Sequence, residues 1–410
     1  MKGRHSHMRI GILTFHDEVN YGSLLQAYAM QTALRDIGHD AVIIDRWFEP
    51  RQFRLYGILC SRSPKNWLGW MRRVVWGSGE WALFIRQWRS RAFIRNFLRL
   101  TPYHFCKCED APADLGLDLV VVGSDQVWRP SSNPRVYLLT QLHQVPGIAY
   151  AASFGVHEIP EKLRSLYRDG LFNFKSVGLR EREGVEIVRR LGVPDPVHVV
   201  DPTLLADPRH WQAFLFGRTH AVKKHVSCYF LGEDYLALAE RVSRLAKKSR
   251  VKVDFFVQDF HLPFTPLGPR LRPWFRYWRL RLFSPLRFRY AAGPEEFVRS
   301  LAAADCVFSN SFHALMFSTI FRKNVRIVEP SHPGRKQMAA RMQEFSGTII
   351  HGPLIMENID EAFASYERGE KVSYDEALLQ RRRSESAEWL QHAIQAACNA
   401  PNRQERPDSI

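Results

Sequence analysis

Residues 8–45 read MRIGILTFHDEVNYGSLLQAYAMQTALRDIGHDAVIID, and this stretch decides the fold class. Its apolar residues form one run at 8–15 and another at 39–45, which is typical of buried strands. Between them the apolar residues recur at helical spacing, and Gly38 ends that pattern. A strand, a helix and a strand in this order predict an α/β fold with a parallel sheet and a right-handed crossover.

The loop after the first strand lies at the carboxyl end of the predicted sheet, where such folds bind ligands. It contains Asn20, Gly22 and Ser23, which are therefore candidate substrate-binding residues. The loop lacks the G-x-G-x-x-G pattern of dinucleotide sites. Gly22 is equally well explained as an ordinary turn residue.

Four more apolar segments end in small, polar or charged residues, at 118–125, 147–155, 176–184 and 197–203. Repeated strand ends of this kind predict one shared cleft. Arginines in such a cleft can bind carboxylate or phosphate groups, although ion pairs with neighbouring glutamates on a solvated helix also explain them. The candidate binding residues at these four ends are Ser124, Asp125, Ser153, Arg180, Arg182 and Asp201.

A chain of 410 residues exceeds one ordinary core, so two domains are expected. The first spans 8–207 and carries a helical insertion at about 51–100, rich in tryptophan and arginine, which covers the sheet or lies on anionic lipid. A second βαβ pattern begins near Val226, so the second domain spans 222–375. Residues 376–398 are predicted to form a C-terminal helix, and 399–410 a disordered tail.

Residues 309–318 read SNSFHALMFS and follow a short apolar segment. We interpret them as a strand end, a polar turn and a helix start, whose free amide groups can hold an anion. Ser309, Asn310 and Ser311 in the turn are candidate binding residues. His313 in the first helical turn is the candidate catalytic acid or base. Alternatively, a serine only caps the helix and His313 is a satisfied polar residue.

The chain is strongly basic, with a formal net charge of +16 and a pI of about 9.8, so an anionic partner is expected. The strip 270–290 contains seven arginines and seven aromatic residues without an acid. Anionic lipid, charged polysaccharide and single-stranded nucleic acid are all compatible with such a strip, as is packing of arginine stems on aromatic rings. Of these, we expect peripheral contact with an anionic membrane and no nucleic acid.

The six cysteines do not have the spacing of a metal site, since the only close pair is Cys106 and Cys108. We expect free thiols in a reducing compartment and no bound metal. The N-terminal apolar run is too short for a signal peptide, and no uninterrupted apolar run reaches about 18 residues. These features predict a cytoplasmic protein, which can also act at the inner face of the cell membrane.

Seven motifs follow one another along the chain: the 8–45 stretch, VVGSDQVW, YAASFG, LREREG, VVDPTLL, GPEEFV and SNSFHALMFS. In this order they resemble the polysaccharide pyruvyl transferase family, from about Met8 to Phe345. The resemblance implies two Rossmann-like domains facing across a cleft, as in GT-B glycosyltransferases. It also implies transfer of the enolpyruvyl carbons of phosphoenolpyruvate to a sugar of a cell-surface polysaccharide precursor, which gives a pyruvate ketal and phosphate.

By resemblance, His313 matches the family's motif histidine and is expected to act as general acid or base. Either Arg180 or Arg182 matches a motif arginine that holds the donor's anionic groups, and Arg341 falls near another basic position. Ser311 departs from the pattern, because well-studied members carry arginine two residues before the histidine. This departure bears on whether phosphoenolpyruvate is the donor.

The expected partners are phosphoenolpyruvate as donor substrate and a glycan acceptor, which a lipid carrier can present. No further cofactor is expected. Two alternatives stay open on the sequence alone. The first is a GT-B-type glycosyltransferase that uses a nucleotide sugar. The second is a non-catalytic protein that binds an anionic polymer or membrane.

Overall fold

The protein is represented by a computed structural model that describes residues 7–16, 19–46, 78–105, 114–131, 134–140, 145–215, 224–257, 271–329, 342 and 347–399.

The first domain is built on seven parallel strands. The sheet order is 3-2-1-4-5-6-7 for β1 (Arg9–Leu13), β2 (Asp40–Arg46), β3 (Leu100–Phe105), β4 (Leu119–Val122), β5 (Gly147–Ala152), β6 (Phe174–Leu179) and β7 (Val197–His198). The order reverses beside β1, and parallel sheets bind ligands outside the carboxyl ends of their strands at such a point.

The predicted βαβ unit of residues 8–45 is confirmed by β1, a helix and β2. The helix begins at Asn20, whose side chain accepts a hydrogen bond from the Gly22 amide at 3.0 Å. The helices of the first domain are α1 (Tyr21–Asp36), α2 (Ser78–Phe97), α3 (Arg164–Leu171), α4 (Arg182–Arg190), α5 (Pro202–Leu205) and α6 (Pro208–Gln212). The described part of the predicted insertion is the single helix α2, and residues 47–77 lie outside the described part.

The second domain repeats the architecture with six parallel strands and a separate antiparallel pair, β13 and β15. The parallel order is 10-9-8-11-12-14 for β8 (His225–Phe230), β9 (Lys252–Val257), β10 (Leu286–Phe288), β11 (Cys306–Ser309), β12 (Asn324–Val328) and β14 (Ile355–Met356), while the pair is β13 (Ile350–His351) and β15 (Ser373–Tyr374). Its helices are α7 (Tyr235–Lys248), α8 (Leu271–Phe283), α9 (Pro294–Ala303), α10 (Phe312–Ile320) and α11 (Ile359–Glu367). The chain therefore has the predicted two Rossmann-like domains.

The two domains share an apolar contact rather than a thin linker. Tyr21 of α1 stacks on Phe297 of α9 with ring centroids 4.7 Å apart, and its hydroxyl donates to the Ala292 carbonyl at 3.1 Å. Arg86 of α2 is buried and donates to the Val257 carbonyl at the end of β9, at 2.8 Å. One hydrophobic cluster includes residues of both domains. The two domains therefore pack directly against each other beside the start of α1.

The C-terminal helix α12 (Glu376–Asn399) was predicted at 376–398, and it returns to the first domain. It packs along β5 and β6, where the Trp389 ring lies so close to Gly178 that a Cβ there would come within 2.8 Å of it. Ser386 accepts a hydrogen bond from the Val200 amide at 3.0 Å. Asn399 is still helical, and the rest of the predicted tail lies outside the described residues. Within those residues no helix combines the length and apolarity needed to cross a bilayer.

Candidate active site

The candidate residues of both domains meet where the carboxyl end of the first sheet faces α10. The first domain contributes the start of α1, the loop after β4, the end of β6 and the residue before α5. The second domain contributes His313. The structure brings together seven of the predicted residues, namely Gly22, Ser23, Ser124, Asp125, Arg180, Asp201 and His313.

His313 is buried in this cleft, with only 9% of its surface exposed. Its Nε2 atom is shielded from solvent and has no hydrogen-bond partner among the described residues. The other side of the ring faces Gly22, where an added Cβ would lie 2.1 Å from Nδ1. Because glycine has no side chain, the imidazole can lie directly against the first turn of α1. Gly22 is therefore more than a turn residue.

Asp201 is a fully buried carboxylate with several donors. Its Oδ1 atom accepts from the Thr203 amide at 3.0 Å and from the Thr203 hydroxyl at 2.7 Å, which caps α5. Its Oδ2 atom accepts from the Ser124 hydroxyl at 3.0 Å and faces Arg180 at 3.5 Å. Burial alone would raise its pKa, but His313, Arg180 and the Thr203 hydrogen bonds together lower it. Asp201 is therefore ionised at neutral pH.

Arg180 is a buried guanidinium surrounded by acids. It pairs with Glu181 at 3.0 Å and lies 3.5 Å from Asp201 and 3.9 Å from Asp125. Burial would lower its pKa, but these three carboxylates raise it overall. The guanidinium also lies over the Phe312 ring of the second domain, 4.5 Å from the centroid. The ion pairing with Glu181 that sequence reasoning had placed on a solvated helix thus occurs in a buried site.

Asp125 is held in a strained backbone conformation, with φ at 70°. Its side chain accepts from the Ser23 hydroxyl at 2.9 Å, which joins the start of α1 to the loop after β4. Gln26 of α1 also holds the loop after β4 in place, because it accepts from the Ser124 amide at 3.2 Å and donates to the Thr14 hydroxyl at 2.9 Å. Sequence reasoning missed Gln26 and Thr14, which position the loop.

Burial lowers the pKa of His313, and the charge of Arg180 lowers it further, while Asp201 and Asp125 oppose both effects. The ring is therefore neutral at pH 7, and its Nε2 atom, which has no hydrogen-bond partner among the described residues, can accept a proton. Once protonated, it gains the attraction of two nearby carboxylates. A buried histidine whose pKa is lowered by burial and raised by nearby carboxylates is suited to general acid–base chemistry.

The turn before α10 uses its side chains mainly to hold itself in place. Asn310 accepts from the Leu231 amide at 2.7 Å and donates to the Leu231 carbonyl at 3.1 Å. The Ser309 hydroxyl donates to the Tyr229 carbonyl and accepts from the Ser311 amide. Ser311 occupies the cap position of α10 without a side-chain cap bond. The alternative interpretation, in which a serine side chain only caps this helix, does not hold for Ser311.

Three further predicted residues are Ser153, Arg182 and Arg341, and the Ser153 amide donates to the Asp125 carbonyl at 3.0 Å. The Ser153 hydroxyl accepts from the Gly155 amide at 3.2 Å and shapes the loop after β5. Arg182 is exposed and lines a surface cleft on α4 together with Glu183 and Glu186. Arg341 lies outside the described residues. The binding roles of these three residues stay predictions.

His198 is a second histidine near the site, and sequence reasoning missed it. Its Nε2 atom donates to the Arg180 carbonyl at 3.0 Å, and its Nδ1 atom accepts from Arg382 of α12 at 3.1 Å. Burial lowers its pKa to about 4, and Arg382 contributes in the same direction. The contacts fix one neutral tautomer, which anchors the backbone of Arg180.

His198 is expected to make the protein less stable in mild acid. The unfolded chain binds a proton near pH 6.5, whereas folded His198 resists protonation until about pH 4. The unfolded state therefore binds more protons between these values, and stability falls as the pH drops through them. We expect the loss of unfolding free energy between pH 7 and pH 4.5 to be about 2 kcal/mol smaller in His198→Gln. Urea unfolding at both pH values measures it.

The matched control is His392→Gln, which replaces an exposed histidine on α12. This control should retain the full pH dependence of the unchanged protein. An equal loss of stability in His198→Gln and in the unchanged chain would contradict the assignment of a buried neutral His198.

The described residues contain no group of three or more His, Cys, Asp or Glu side chains placed to hold a metal ion. His313, which lies beside ionised Asp201 and the Asp125 side chain, is placed for proton transfer.

Solved structures with similar folds include UDP-N-acetylglucosamine 2-epimerases. UDP-N-acetylglucosamine 2-epimerase from Rickettsia bellii aligns over 97% of this chain and 99% of its own, with a TM-score of 0.55 and 11% identity. A putative epimerase from Listeria monocytogenes aligns over 99% and 100% (TM-score 0.52, 9% identity), and the Methanocaldococcus jannaschii enzyme over 95% and 99% (0.51, 11%). At these identities the likeness shows the fold alone, which is GT-B-like with two domains across a cleft.

Curated proteins show no significant sequence match to this chain. The family model described as "Polysaccharide pyruvyl transferase" matches residues 20–332, which include His313 and every described residue of the cluster around it. That match covers most of both Rossmann-like domains. The chain therefore belongs to the polysaccharide pyruvyl transferase family.

Proposed function

We propose that this protein transfers the enolpyruvyl group of phosphoenolpyruvate to a sugar of a cell-surface polysaccharide precursor, forming a pyruvate ketal and phosphate. The observation that carries the proposal is the buried His313, whose Nε2 lacks a partner among the described residues, within a chain of this family. Asp201 and Asp125 supply the nearby negative charge that a transient imidazolium needs.

The reaction requires two new carbon–oxygen bonds and one proton transfer to carbon. Two sugar hydroxyls bond to C2 of the donor, the methylene carbon takes up a proton and becomes a methyl group, and the bond between C2 and the phosphate oxygen breaks. The second hydroxyl proton leaves with phosphate or to solvent. His313 is our candidate for moving one of these protons, since its neutral ring can accept from a hydroxyl and then donate.

The donor carries a phosphate and a carboxylate, so its binding requires cations or free amide groups. Arg180 already faces three carboxylates. We therefore assign it the role of positioning these acidic side chains, rather than that of neutralising the charge of the donor. The amides of the first turn of α10, from His313 onward, are the proposed anion ligands. Arg182 and Arg341 remain sequence-based candidates for the same role.

The acceptor is proposed to be a glycan, and a lipid-linked precursor would place the reaction at the inner face of the cell membrane. The test incubates the purified chain with phosphoenolpyruvate and candidate acceptors and measures phosphate release. Mass spectrometry of the acceptor then detects the ketal-linked pyruvate. A parallel analysis compares surface polysaccharide from cells with and without the protein.

We expect phosphate release that depends on the acceptor, together with a pyruvate ketal that is absent from cells lacking the protein. The absence of donor turnover with any acceptor, together with unchanged surface polysaccharide, would overturn the proposal. Thermal stabilisation by UDP- or GDP-sugars but not by phosphoenolpyruvate would instead favour the glycosyltransferase alternative.

A further inference from the structure

The last turn of α8 exposes two large apolar side chains next to each other. Leu282 is 65% exposed and Phe283 is 71% exposed. Among the described residues, Trp88 and Phe172 are the other exposed large apolar side chains, and they are isolated in sequence. Single exposed apolar residues are common on protein surfaces, but an adjacent pair at the end of a helix points to a contact.

Cations surround this pair. We define the basic tip as Leu282 and Phe283 with eight of the exposed cations of α7, α8, the turn between α7 and β9, and the strands β9 and β10. These cations are Arg244, Lys247, Lys248, Arg250, Lys252, Arg279, Arg281 and Arg287, of which Lys248 pairs with Glu367 and Arg287 with Asp254. α7 and α8 contact each other, and their residues Arg244, Lys247 and Arg279 share one surface.

A cleft of about 660 Å³ lies between the two helices within the basic tip. Arg244, Lys247 and Arg279 line it, together with Phe283. The one acid in its wall, Glu240, is bound by Arg276 through two hydrogen bonds of 2.8 and 2.5 Å. Within the described part of the chain, the cleft therefore combines three cations that have no ion pair with an apolar wall.

The basic tip lies far from the chemistry in the topology of the second domain. β9 runs toward the carboxyl edge of the sheet, and α8 returns the chain so that Phe283 lies beside the amino end of β10. His313 follows the carboxyl end of β11, at the opposite edge. Substitutions in the basic tip can therefore test the role of this surface without changing the residues around His313.

We propose that the basic tip docks the protein on an anionic lipid bilayer. Leu282 and Phe283 enter the boundary between headgroups and acyl chains, while Arg244, Lys247 and Arg279 bind lipid phosphates in the cleft beside them. Charge complementarity selects an anionic surface. The exposed apolar pair selects a bilayer over a soluble polyanion, since only the bilayer offers an apolar phase beneath its charge.

The test measures cosedimentation of the full chain with vesicles of phosphatidylcholine alone or with added phosphatidylglycerol. We expect binding to the anionic vesicles only. The double variant Leu282→Ser/Phe283→Ser should bind about tenfold more weakly. Replacement of Arg244, Lys247 and Arg279 by glutamine should weaken binding about a hundredfold. Thermal unfolding confirms that each variant is folded.

Phe172→Ser and Arg164→Gln are the matched controls, since each replaces an exposed residue outside the basic tip, and both should bind like the unchanged chain. Equal binding to neutral vesicles, or unchanged binding by folded tip variants, would overturn the proposal. So would a soluble anionic polysaccharide that displaces the protein from vesicles while Leu282→Ser/Phe283→Ser has no effect. The measurement does not involve phosphoenolpyruvate, so its outcome is independent of the proposed reaction.

Discussion

Replacing His313 by alanine is expected to lower the rate of pyruvyl transfer by about 10²–10⁴-fold, the usual contribution of a general acid or base. The change removes the proton-accepting Nε2 atom that has no partner among the described residues. Donor binding should change little, because the proposed anion ligands are backbone amides of α10. Steady-state kinetics with phosphoenolpyruvate and an acceptor measures both effects as separate changes in kcat and KM.

The control is His392→Ala, which removes an exposed histidine of α12 and should retain full activity. The pH profile gives an independent check. Because burial lowers the pKa of His313, the neutral ring should persist below pH 6.5, and activity should fall only in more acidic solution. Transfer by His313→Ala at the rate of the unchanged protein would refute the assigned role.

Replacing Gly22 by alanine is expected to impair both stability and transfer. The new Cβ would lie 2.1 Å from His313 Nδ1, so α1 and α10 must move apart. Overpacking of this kind costs about 1–3 kcal/mol of unfolding free energy, although alanine by itself favours a helix over glycine. Because His313 is displaced, the transfer rate should also fall, by at least about tenfold. Denaturant unfolding and kinetics measure the two effects.

A double variant makes this prediction specific. In Gly22→Ala/His313→Ala the clash disappears, so the stability lost through Gly22→Ala should be recovered relative to His313→Ala alone. Gly347→Ala is the matched control, since a Cβ there meets no atom of the described residues within 4 Å. If Gly22→Ala destabilises the chain equally with and without the imidazole, the close contact between them is wrong.

The alternation of apolar segments was enough to predict two α/β domains with parallel sheets, because buried parallel strands and their covering helices leave distinct periodicities. The resemblance to a known family added that both are Rossmann-like. It also predicted much of the candidate site. Ser124, Asp125 and Arg180 each follow a strand, and parallel strands bring their carboxyl ends to one edge. The position of each polar residue directly after a strand was therefore enough to predict that these residues lie close together.

Other parts of the site depend on contacts that no local pattern records. Gln26 lies within the helical stretch of α1, where a polar residue at that spacing resembles any partly exposed position. Its role appears only when the loop after β4 comes within hydrogen-bond distance. The same holds for His198, whose neutral form depends on Arg382, 184 residues further along the chain. Partners this distant are set by tertiary packing.

The return of α12 to the first domain has a consequence for synthesis on the ribosome. The helix covers β5 and β6 and buries Leu390, Ala393 and Ile394, and these residues are made after the whole second domain. Until they emerge, the nascent first domain has an uncovered apolar surface, although all of its strands are already complete. Nascent domains generally fold as units from the N-terminus. Here the first domain can mature only after translation of the second has finished, which lengthens the period in which a chaperone can bind.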